Sequence, residues 1–229
     1  MAFIPTKTIE QTVRAFEKQT SAELVVAIAP RSAVYADAVW TVSALLTLVV
    51  FTVYMYAEFE FYDNHIYLGS VLTFVGAFLL MRYVPFLQRP FTRRNTRRYH
   101  TELGAHATFS RQQLHATMHE VGTLIYISVL EREVVIIADR GVQNAVGMDV
   151  LQQWERDLSQ LFQQADPATA FAQCVERYAA QFAQAMPIQA NDVDELASTI
   201  AFNKRGRPHK VAVGMGGKSI VINPENTNL

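Results

Sequence analysis

The polar triplet Asp139-Arg140-Gly141 is the part of this sequence that best fits a chemical role. It follows Val134-Val-Ile-Ile137, an apolar run of strand length, and α/β proteins place their binding sites in the loops at strand ends. An aspartate beside an arginine can hold a metal ion or a phosphate. The same two residues can instead form a local ion pair that shapes a turn. The sequence favours the turn, because it offers no further reacting group for this site.

Two other motifs have weaker support. His115 and His119 stand four residues apart on a predicted helix, a spacing that can put two imidazoles on one metal ion. Zinc hydrolases with this pattern carry a glutamate after the first histidine, where this chain has Ala116, so we expect no metal site there. Gly214-Met-Gly-Gly-Lys-Ser219 resembles the end of a phosphate-binding loop, but Ala212 stands where the first glycine of that pattern belongs.

Composition restricts the possible functions further. The chain has 229 residues, a formal net charge of -1 and a pI near 6.6, so no overall electric field favours nucleic acid as a partner. Cys174 is the sole cysteine, which excludes a disulfide within the chain and suits a reducing compartment. It falls in the middle of a predicted helix, and no G-x-S-x-G motif occurs. The sequence therefore offers no activated nucleophile.

Two long apolar runs stand out among the elements that would position these residues. Residues 38–57 contain no charged side chain, and residues 66–87 contain only Arg82, close to the end of the run. Roughly 20 apolar residues are enough for a helix to cross the hydrocarbon core of a bilayer. A domain of this size has too small an interior to bury two such helices. We therefore predict a transmembrane hairpin over residues 34–88.

The charges around this hairpin predict its orientation. The loop at residues 58–65 carries acids and neither lysine nor arginine, whereas arginines crowd the segment that follows the second run. Because positive charge stays on the cytoplasmic side, we expect a multi-pass protein of a bacterial inner membrane with both termini in the cytoplasm. Arg93, Arg94, Arg97 and Arg98 are the residues expected at the membrane surface, where they either bind anionic headgroups or only set the topology.

The segments on either side of the hairpin predict an α/β domain. A helix is expected over residues 8–19, beginning at a capping box of Thr8 and Gln11. An apolar strand is expected at residues 24–29, and strands at 124–130 and 134–137 are close enough in sequence to form an antiparallel pair. Because two spans return the chain to its starting side, these strands can share one small mixed sheet.

Three later helices are expected to cover this sheet. The first begins at a capping box of Ser110 and Gln113, the second carries the apolar stripe from Leu151 to Phe162, and the third begins at Asp166-Pro167. We interpret their aromatic residues as core. Residues 1–33 and 89–188 are thus predicted to be two parts of one domain, and residues 189–229 a polar tail that is mobile beyond Ile200.

Several of these segments together resemble the TPM domain family. They are Thr20-Ser-Ala-Glu-Leu-Val25, Ala29-Pro-Arg-Ser32, Gly122-Thr-Leu-Ile-Tyr-Ile-Ser-Val-Leu-Glu131 and, most specifically, Ile137-Ala-Asp-Arg-Gly141. The resemblance covers roughly residues 8–200. It is greatest to the bacterial branch in which transmembrane helices are placed within the domain.

The resemblance implies an α/β sandwich whose small mixed sheet is covered by helices. It also implies the range of roles linked to the family, which includes acid-phosphatase activity, calcium binding and assembly of membrane receptors. Met1-Ala-Phe-Ile-Pro5 stands where the metal-binding members carry an acidic stretch, so we expect no cofactor, with calcium the one alternative left open. The polar positions that match the family are Glu23, Asp139 and Arg140, which are the candidate ligand-binding residues.

These observations lead to one leading hypothesis and one alternative. A well-specified fold without a complete catalytic constellation predicts a non-enzymatic assembly, maintenance or interaction factor for membrane proteins. Its expected partners are the lipid bilayer and a membrane protein, and not nucleic acid. The alternative is a metal-dependent enzyme resembling an acid phosphatase, in which Asp139 takes part in the reaction and Arg140 holds the phosphate by paired hydrogen bonds.

Overall fold

The computed structural model describes residues 4–57, 62–112 and 121–188, and the backbone of residues 201–202. The chain forms two compact units. The first, here called the α/β unit, contains the described residues up to Ser32 and from Arg98 onward. The second, the helical unit, is Ala33–Arg97 and is therefore an insertion within the first.

The described residues form seven α-helices and four strands. The helices are α1 (Thr6–Glu17), α2 (Ala36–Tyr56), α3 (Asp63–Tyr83), α4 (Arg94–Arg111), α5 (Arg140–Val146), α6 (Met148–Ser159) and α7 (Pro167–Ala185). The strands are β1 (Glu23–Ala29), β2 (Gly122–Ser128), β3 (Glu133–Ala138) and β4 (Ala201–Phe202). Short 3₁₀ turns cover Pro85–Gln88 and Gln160–Gln163.

The α/β unit is organised around one mixed sheet with the strand order β3-β2-β1-β4. β1 runs parallel to β2 and to β4, whereas β2 and β3 form an antiparallel hairpin. β1 and β2 are buried along nearly their whole length. Continuous apolar runs suit such strands, because a sheet covered on both faces has no side that faces water.

One face of the sheet packs against the larger of two hydrophobic cores. Side chains from α1, α5, α6 and α7 meet the strands there. Trp154 is fully buried at its centre, with its ring centroid 5.3 Å from those of Tyr178 and Phe182 and 5.9 Å from that of Phe16. The aromatic residues that recur at helical spacing are therefore core residues, as predicted.

The opposite face carries a smaller core, to which α4 contributes. Ala105 of α4 is completely buried against Val25, Leu124 and Tyr126. Gly104 lies beside it, and a Cβ atom at that position would sit 2.8 Å from the Tyr126 hydroxyl. The missing side chain is thus what permits α4 to approach the sheet this closely.

The helical unit is an antiparallel pair of long helices. Trp40, near the start of α2, packs against Phe78, near the end of α3, with ring centroids 5.0 Å apart. At the other end, Tyr54 of α2 lies against Gly69 of α3. Both helices have 21 residues and are long and apolar enough to cross a membrane, yet only 17% and 11% of their most apolar windows are buried. Their apolar side chains face outward and not into a protein core.

The structure confirms the predicted α/β fold class, including the small mixed sheet. The two strands expected to pair in antiparallel orientation do so. The predicted start of α7 is also confirmed, because the carboxylate of Asp166 accepts the backbone N–H groups of Ala168 and Thr169. These bonds and the Thr169 hydroxyl stabilise the carboxylate, and they lower the pKa of Asp166.

Two predicted helix starts are wrong. α1 begins at Thr6 behind Pro5 and without a side-chain cap, so Thr8 lies within the helix. Ser110 lies in the last turn of α4 and not at a helix start. The apolar stripe expected after it falls largely on residues 113–120, outside the described part of the chain. Within the predicted tail, Ala201–Phe202 pair with β1, and the other tail residues also lie outside the described part.

Candidate functional site

An open cleft of about 550 Å³ runs along the outer edge of β3 in the α/β unit. The floor is the backbone and side chains of residues 135–138 of β3. One wall comes from α4 and carries Arg98, Glu102 and His106, and the other comes from α6 and carries Gln152 and Glu155. The cleft therefore lies where polar side chains of α4 and α6 flank the apolar strand β3.

Arg98 is the centre of the charge network in this cleft. Its Nη2 donates to Glu155 Oε1 at 2.6 Å, and its Nε donates to Glu102 Oε1 at 2.9 Å. A third carboxylate oxygen, on Glu133, lies 3.9 Å from Nη1. Burial works to lower the pKa of Arg98, but the hydrogen bonds and charges of Glu155 and Glu102 outweigh it and raise that pKa. The guanidinium thus remains charged and links α4, β3 and α6.

The same network closes part of the exposed edge of the sheet. Glu155 Oε2 accepts the backbone N–H of Ile136 at 3.0 Å, and the Gln143 side chain donates to the carbonyl of Ala138 at 2.7 Å. Both backbone groups point away from β2, on the side of β3 where the described part of the chain places no further strand. Side chains that occupy such groups prevent unspecific pairing with strands of other chains. α6 therefore protects this edge while leaving the cleft open.

The charged side chains of the cleft can be reached by a group from outside. Arg98 faces three carboxylates, and the side chains of Glu102 and Arg98 remain 43% and 41% exposed, so an incoming group can reach both. His106 is also exposed. Arg98 and Arg156 line the cleft together with Glu102 and Glu155, so a partner's lysine or arginine can pair with a carboxylate and a partner's carboxylate can pair with a guanidinium. Among the described residues, the lining of the cleft includes no serine, threonine or cysteine.

A second polar cluster is buried where β1 and β2 end. Glu131 is 1% exposed; its Oε1 accepts the N–H of Ser32 at 3.0 Å, and its Oε2 accepts the Ser128 hydroxyl. The Ser32 hydroxyl donates in turn to Ser128 Oγ at 2.7 Å and lies 3.4 Å from the Tyr126 hydroxyl. Burial raises the pKa of Tyr126. With its oxygens occupied and almost no exposure, Glu131 holds the structure together and does not offer a binding surface.

The candidates from the family resemblance lie at the opposite end of the sheet. Glu23 opens β1 and pairs in register with Gly122, and Asp139 follows β3 and donates its N–H to the carbonyl of Gly122 at 2.9 Å. The two residues thus flank Gly122 on adjacent strands. Asp139 Oδ1 accepts the N–H of Arg140 at 2.9 Å, while Oδ2 is buried without a hydrogen-bond partner among the described residues. Arg140 is exposed. The triplet begins α5 and is not a turn.

The four arginines expected at the membrane surface have different environments. Arg98 belongs to the cleft. Arg97 Nη1 donates to the carbonyls of Arg89 and Thr92 at 2.9 and 2.6 Å, so it fixes the backbone ahead of α4. Arg93 and Arg94 are exposed. The four arginines therefore differ in exposure, because Arg97 and Arg98 are partly buried whereas Arg93 and Arg94 are exposed.

The remaining sequence motifs provide no assembled site. Within residues 4–57, 62–112 and 121–188, no group of three or more histidine, cysteine, aspartate or glutamate side chains is arranged to hold a metal ion. His115 and His119 lie outside these ranges, as does the glycine-rich motif near Lys218. Cys174 is buried in the core, and burial raises the pKa of its thiol to about 11, with a further contribution from the charge of Asp157.

Sequence reasoning missed Glu155 and Glu131. Glu155 directly follows the core residue Trp154 in an amphipathic helix, and Glu131 stands at the end of an apolar strand, so each is an acid beside a buried position. An acidic residue next to a buried position is a weak indication of a buried network, because many acids that face solvent occupy the same kind of position. Their partners are 57 and 99 residues away along the chain, which no local pattern reveals.

The chain is similar in fold to a solved bacterial protein. No protein-family model and no curated protein matches it. Among solved structures it resembles the NMR structure of the BA42 protein from the psychrophilic bacterium Bizionia argentinensis, with a TM-score of 0.52 and 17% sequence identity. The alignment covers 88% of this chain and 97% of that one. At this identity the likeness concerns the fold alone.

Proposed function

We propose that this protein is a non-enzymatic interaction factor anchored in a bacterial inner membrane. The helical unit spans the bilayer twice, and the α/β unit stays in the cytoplasm and binds a membrane-protein partner through the cleft beside β3. The observation that carries the proposal is the insertion of two long, outward-facing apolar helices between β1 and the rest of its sheet.

The exposed surface of α2 and α3 supports the membrane anchor. Large apolar side chains such as Leu48, Val53 and Leu72 are about 60% exposed. A contiguous apolar surface on two adjacent helices is far larger than soluble monomers normally present to water. In a bilayer these side chains contact acyl chains and not water, and each helix satisfies its own backbone hydrogen bonds. Five serine and threonine hydroxyls within the helices, those of Ser43, Thr47, Thr52, Ser70 and Thr73, bond to carbonyls one turn earlier and so need no water either.

The cleft supports the binding role. It combines a charged network with free space, and both carboxylates and guanidinium groups line it. A partner presenting a lysine or arginine gains an ion pair in a partly desolvated groove, which gives orientation and specificity more than raw affinity. We also propose membership of the TPM domain family, which the α/β fold and the Ile-Ala-Asp-Arg-Gly stretch support.

Cysteine labelling in intact bacterial cells tests the anchor. In a Cys174→Ser background, Asn64→Cys places a thiol at the start of α3, and Gln184→Cys places one on an exposed position of α7. A membrane-impermeant maleimide should label Asn64→Cys from outside and Gln184→Cys only after the cells are opened. The proposed topology would be refuted if the chain remained in the supernatant with the soluble proteins after the membranes were pelleted. Labelling of Gln184→Cys from outside and of Asn64→Cys only in opened cells would refute it too.

Site-specific photo-crosslinking tests the cleft. A photoreactive amino acid at Gln152, in the cleft, should crosslink one membrane protein that also co-purifies in fixed stoichiometry from mild detergent. The same amino acid at Gln184, an exposed glutamine of α7, is the control and should give no such product. Crosslinking of equal yield at both positions, or repeated purification of the chain alone, would contradict docking through this cleft.

A further inference from the structure

The segment after α3 is folded into a fixed turn by its own side chains. Gln88 is 1% exposed and donates through Nε2 to the carbonyl of Met81 at 2.8 Å. The Thr92 hydroxyl donates to the carbonyl of Gln88 at 2.9 Å, and Arg97 donates to two carbonyls of the same segment. Side chains that satisfy backbone carbonyls stabilise a single conformation of the turn.

This fixed turn leaves aromatic side chains uncovered. Tyr83 is 78% exposed, Phe86 60% and Phe91 58%. A turn stabilised through Gln88 and Thr92 has no need to expose two phenylalanines for its own folding. Tyrosine is enriched where a bilayer meets water, and phenylalanine is common on the apolar face of segments that lie in that interface.

The same end of the helical unit is strongly positive. Because α2 and α3 are antiparallel, the start of α2 and the end of α3 lie at one end. Five arginines belong to that end, namely Arg82, Arg89, Arg93, Arg94 and Arg97, and among the described residues of the helical unit the carboxylate at the same end is that of Asp37. Arg93 is exposed and directly follows the turn that displays the phenylalanines. Apolar rings beside exposed guanidinium groups match the two parts of a lipid, its acyl chains and its phosphate.

We propose that residues 83–94 form a binding site for an anionic phospholipid. Phe86 and Phe91 insert among the acyl chains, and Arg93, with Arg94, binds the phosphate of a negatively charged headgroup such as phosphatidylglycerol. The inference rests on the proposed function, since lipid reaches these residues only when the helical unit spans a bilayer. Each arginine near such a surface strengthens binding by about fivefold at ordinary salt.

Quenching of tryptophan fluorescence by brominated lipids tests the site in the full-length protein. Trp40 is 56% exposed at this end of the helical unit, whereas Trp154 is completely buried in the α/β core and provides a constant background. The protein is reconstituted in two sets of bilayers made of phosphatidylcholine and phosphatidylglycerol. In one set the brominated lipid is phosphatidylglycerol, and in the other it is the same molar amount of phosphatidylcholine. Brominated phosphatidylglycerol should quench Trp40 several-fold more efficiently per molecule.

Arginine variants assign the selectivity to this turn. In Arg93→Gln with Arg94→Gln, the excess quenching by phosphatidylglycerol should fall by about an order of magnitude. The matched control is Lys18→Gln with Arg177→Gln, which removes two exposed cations of the α/β unit and should leave the excess unchanged. Added salt should reduce the excess, because charge interactions are screened within about 8 Å at physiological ionic strength and about 3 Å at 1 M.

The outcomes separate this inference from the proposed function. Equal quenching by both brominated lipids would overturn the lipid site while leaving the membrane anchor intact. Absence of quenching by either lipid would show that Trp40 does not meet acyl chains, which contradicts the anchor itself. An excess that survives the arginine substitutions would also overturn the site. The excess quenching by brominated phosphatidylglycerol could also disappear when inorganic phosphate is added and persist in sodium chloride of the same ionic strength. That result would overturn the lipid site and identify a site for free phosphate instead.

Discussion

Arg98 Nη2 lies 2.6 Å from Glu155 Oε1, and this bond joins α4 to α6 across the unpaired edge of β3. The side chain of Glu155 is 17% exposed, and its second oxygen holds the N–H of Ile136. The carboxylate of Glu155 therefore accepts a hydrogen bond from a backbone N–H of β3 and another from the guanidinium of Arg98. The arrangement makes the two residues interdependent, which a double-mutant cycle can measure.

For Arg98→Gln and Glu155→Gln we expect a coupling free energy of about 1 kcal/mol, because the pair is bonded directly but Arg98 is partly screened by water. The measurement is denaturant unfolding in mild detergent, followed by the emission of Trp154. Arg156 also lines the cleft, but its side chain is exposed and bonds to Gln153 of the same helix, so Arg156→Gln should change stability by less than about 0.5 kcal/mol. Additive effects of the two cleft substitutions would contradict this prediction.

Glu131→Gln should destabilise the α/β unit by about 1–3 kcal/mol. A carboxamide presents one acceptor and two donors, whereas Ser32 N–H and the Ser128 hydroxyl both approach Glu131 as donors. One of them therefore loses its acceptor in a site with almost no access to water. Glu176→Gln on the exposed face of α7 is the matched control. Equal stability of the two variants in the unfolding experiment would count against the buried network.

Gly69→Ala and Gly76→Ala should differ in their effect on the helical unit. A Cβ at Gly69 would lie 2.6 Å from the Tyr54 hydroxyl, whereas a Cβ at Gly76 meets nothing within 4 Å. Both positions lie within α3, so the gain in helix propensity is similar and cancels in the comparison. We expect Gly69→Ala to be less stable by about 1 kcal/mol, because Tyr54 must move. Indistinguishable thermal unfolding curves in detergent would refute the close contact.

Stability should decrease as the pH rises from about 9 to 11. Burial raises the pKa of Cys174 to about 11 and also raises that of Tyr178, so the folded protein favours their neutral forms. A group with a raised pKa stabilises the fold fully below its unfolded pKa and loses that contribution as the pH approaches the folded value. For Cys174 the loss is on the order of 2 kcal/mol. Cys174→Ala should therefore show a weaker decrease, and parallel pH profiles would contradict the assignment.

Asp139→Asn should leave the protein folded and, on our proposed function, change no enzymatic activity. Asparagine caps a helix about as well as aspartate, so the N–H of Arg140 keeps an acceptor. Purified wild-type protein and the variant should hydrolyse a phosphomonoester no faster than buffer. Hydrolysis by the wild type that the substitution abolishes would instead support the phosphatase alternative.

The parts of the fold that local patterns determine were predictable from sequence. Continuous apolar runs predict β1, β2 and the two long helices, and Asp166-Pro167 predicts the start of α7. α4 was not predicted, because only Thr101 and Ala105 are buried along it and its arginines dominate the pattern. The cleft depends on Arg98 and Glu155, which lie in different helices, so its assembly follows from the tertiary fold and not from any motif.

The place of the helical unit between β1 and β2 sets an order for biosynthesis. The ribosome makes β1 first, then both long helices, and only afterwards the strand that pairs with β1 from Glu23↔Gly122 to Ala29↔Ser128. A newly made β1 therefore waits with its apolar side chains and backbone edge unpartnered while the two long helices are made. Such an edge is prone to aggregation. Rapid elongation or a bound chaperone would protect it until Gly122 and the residues after it have emerged.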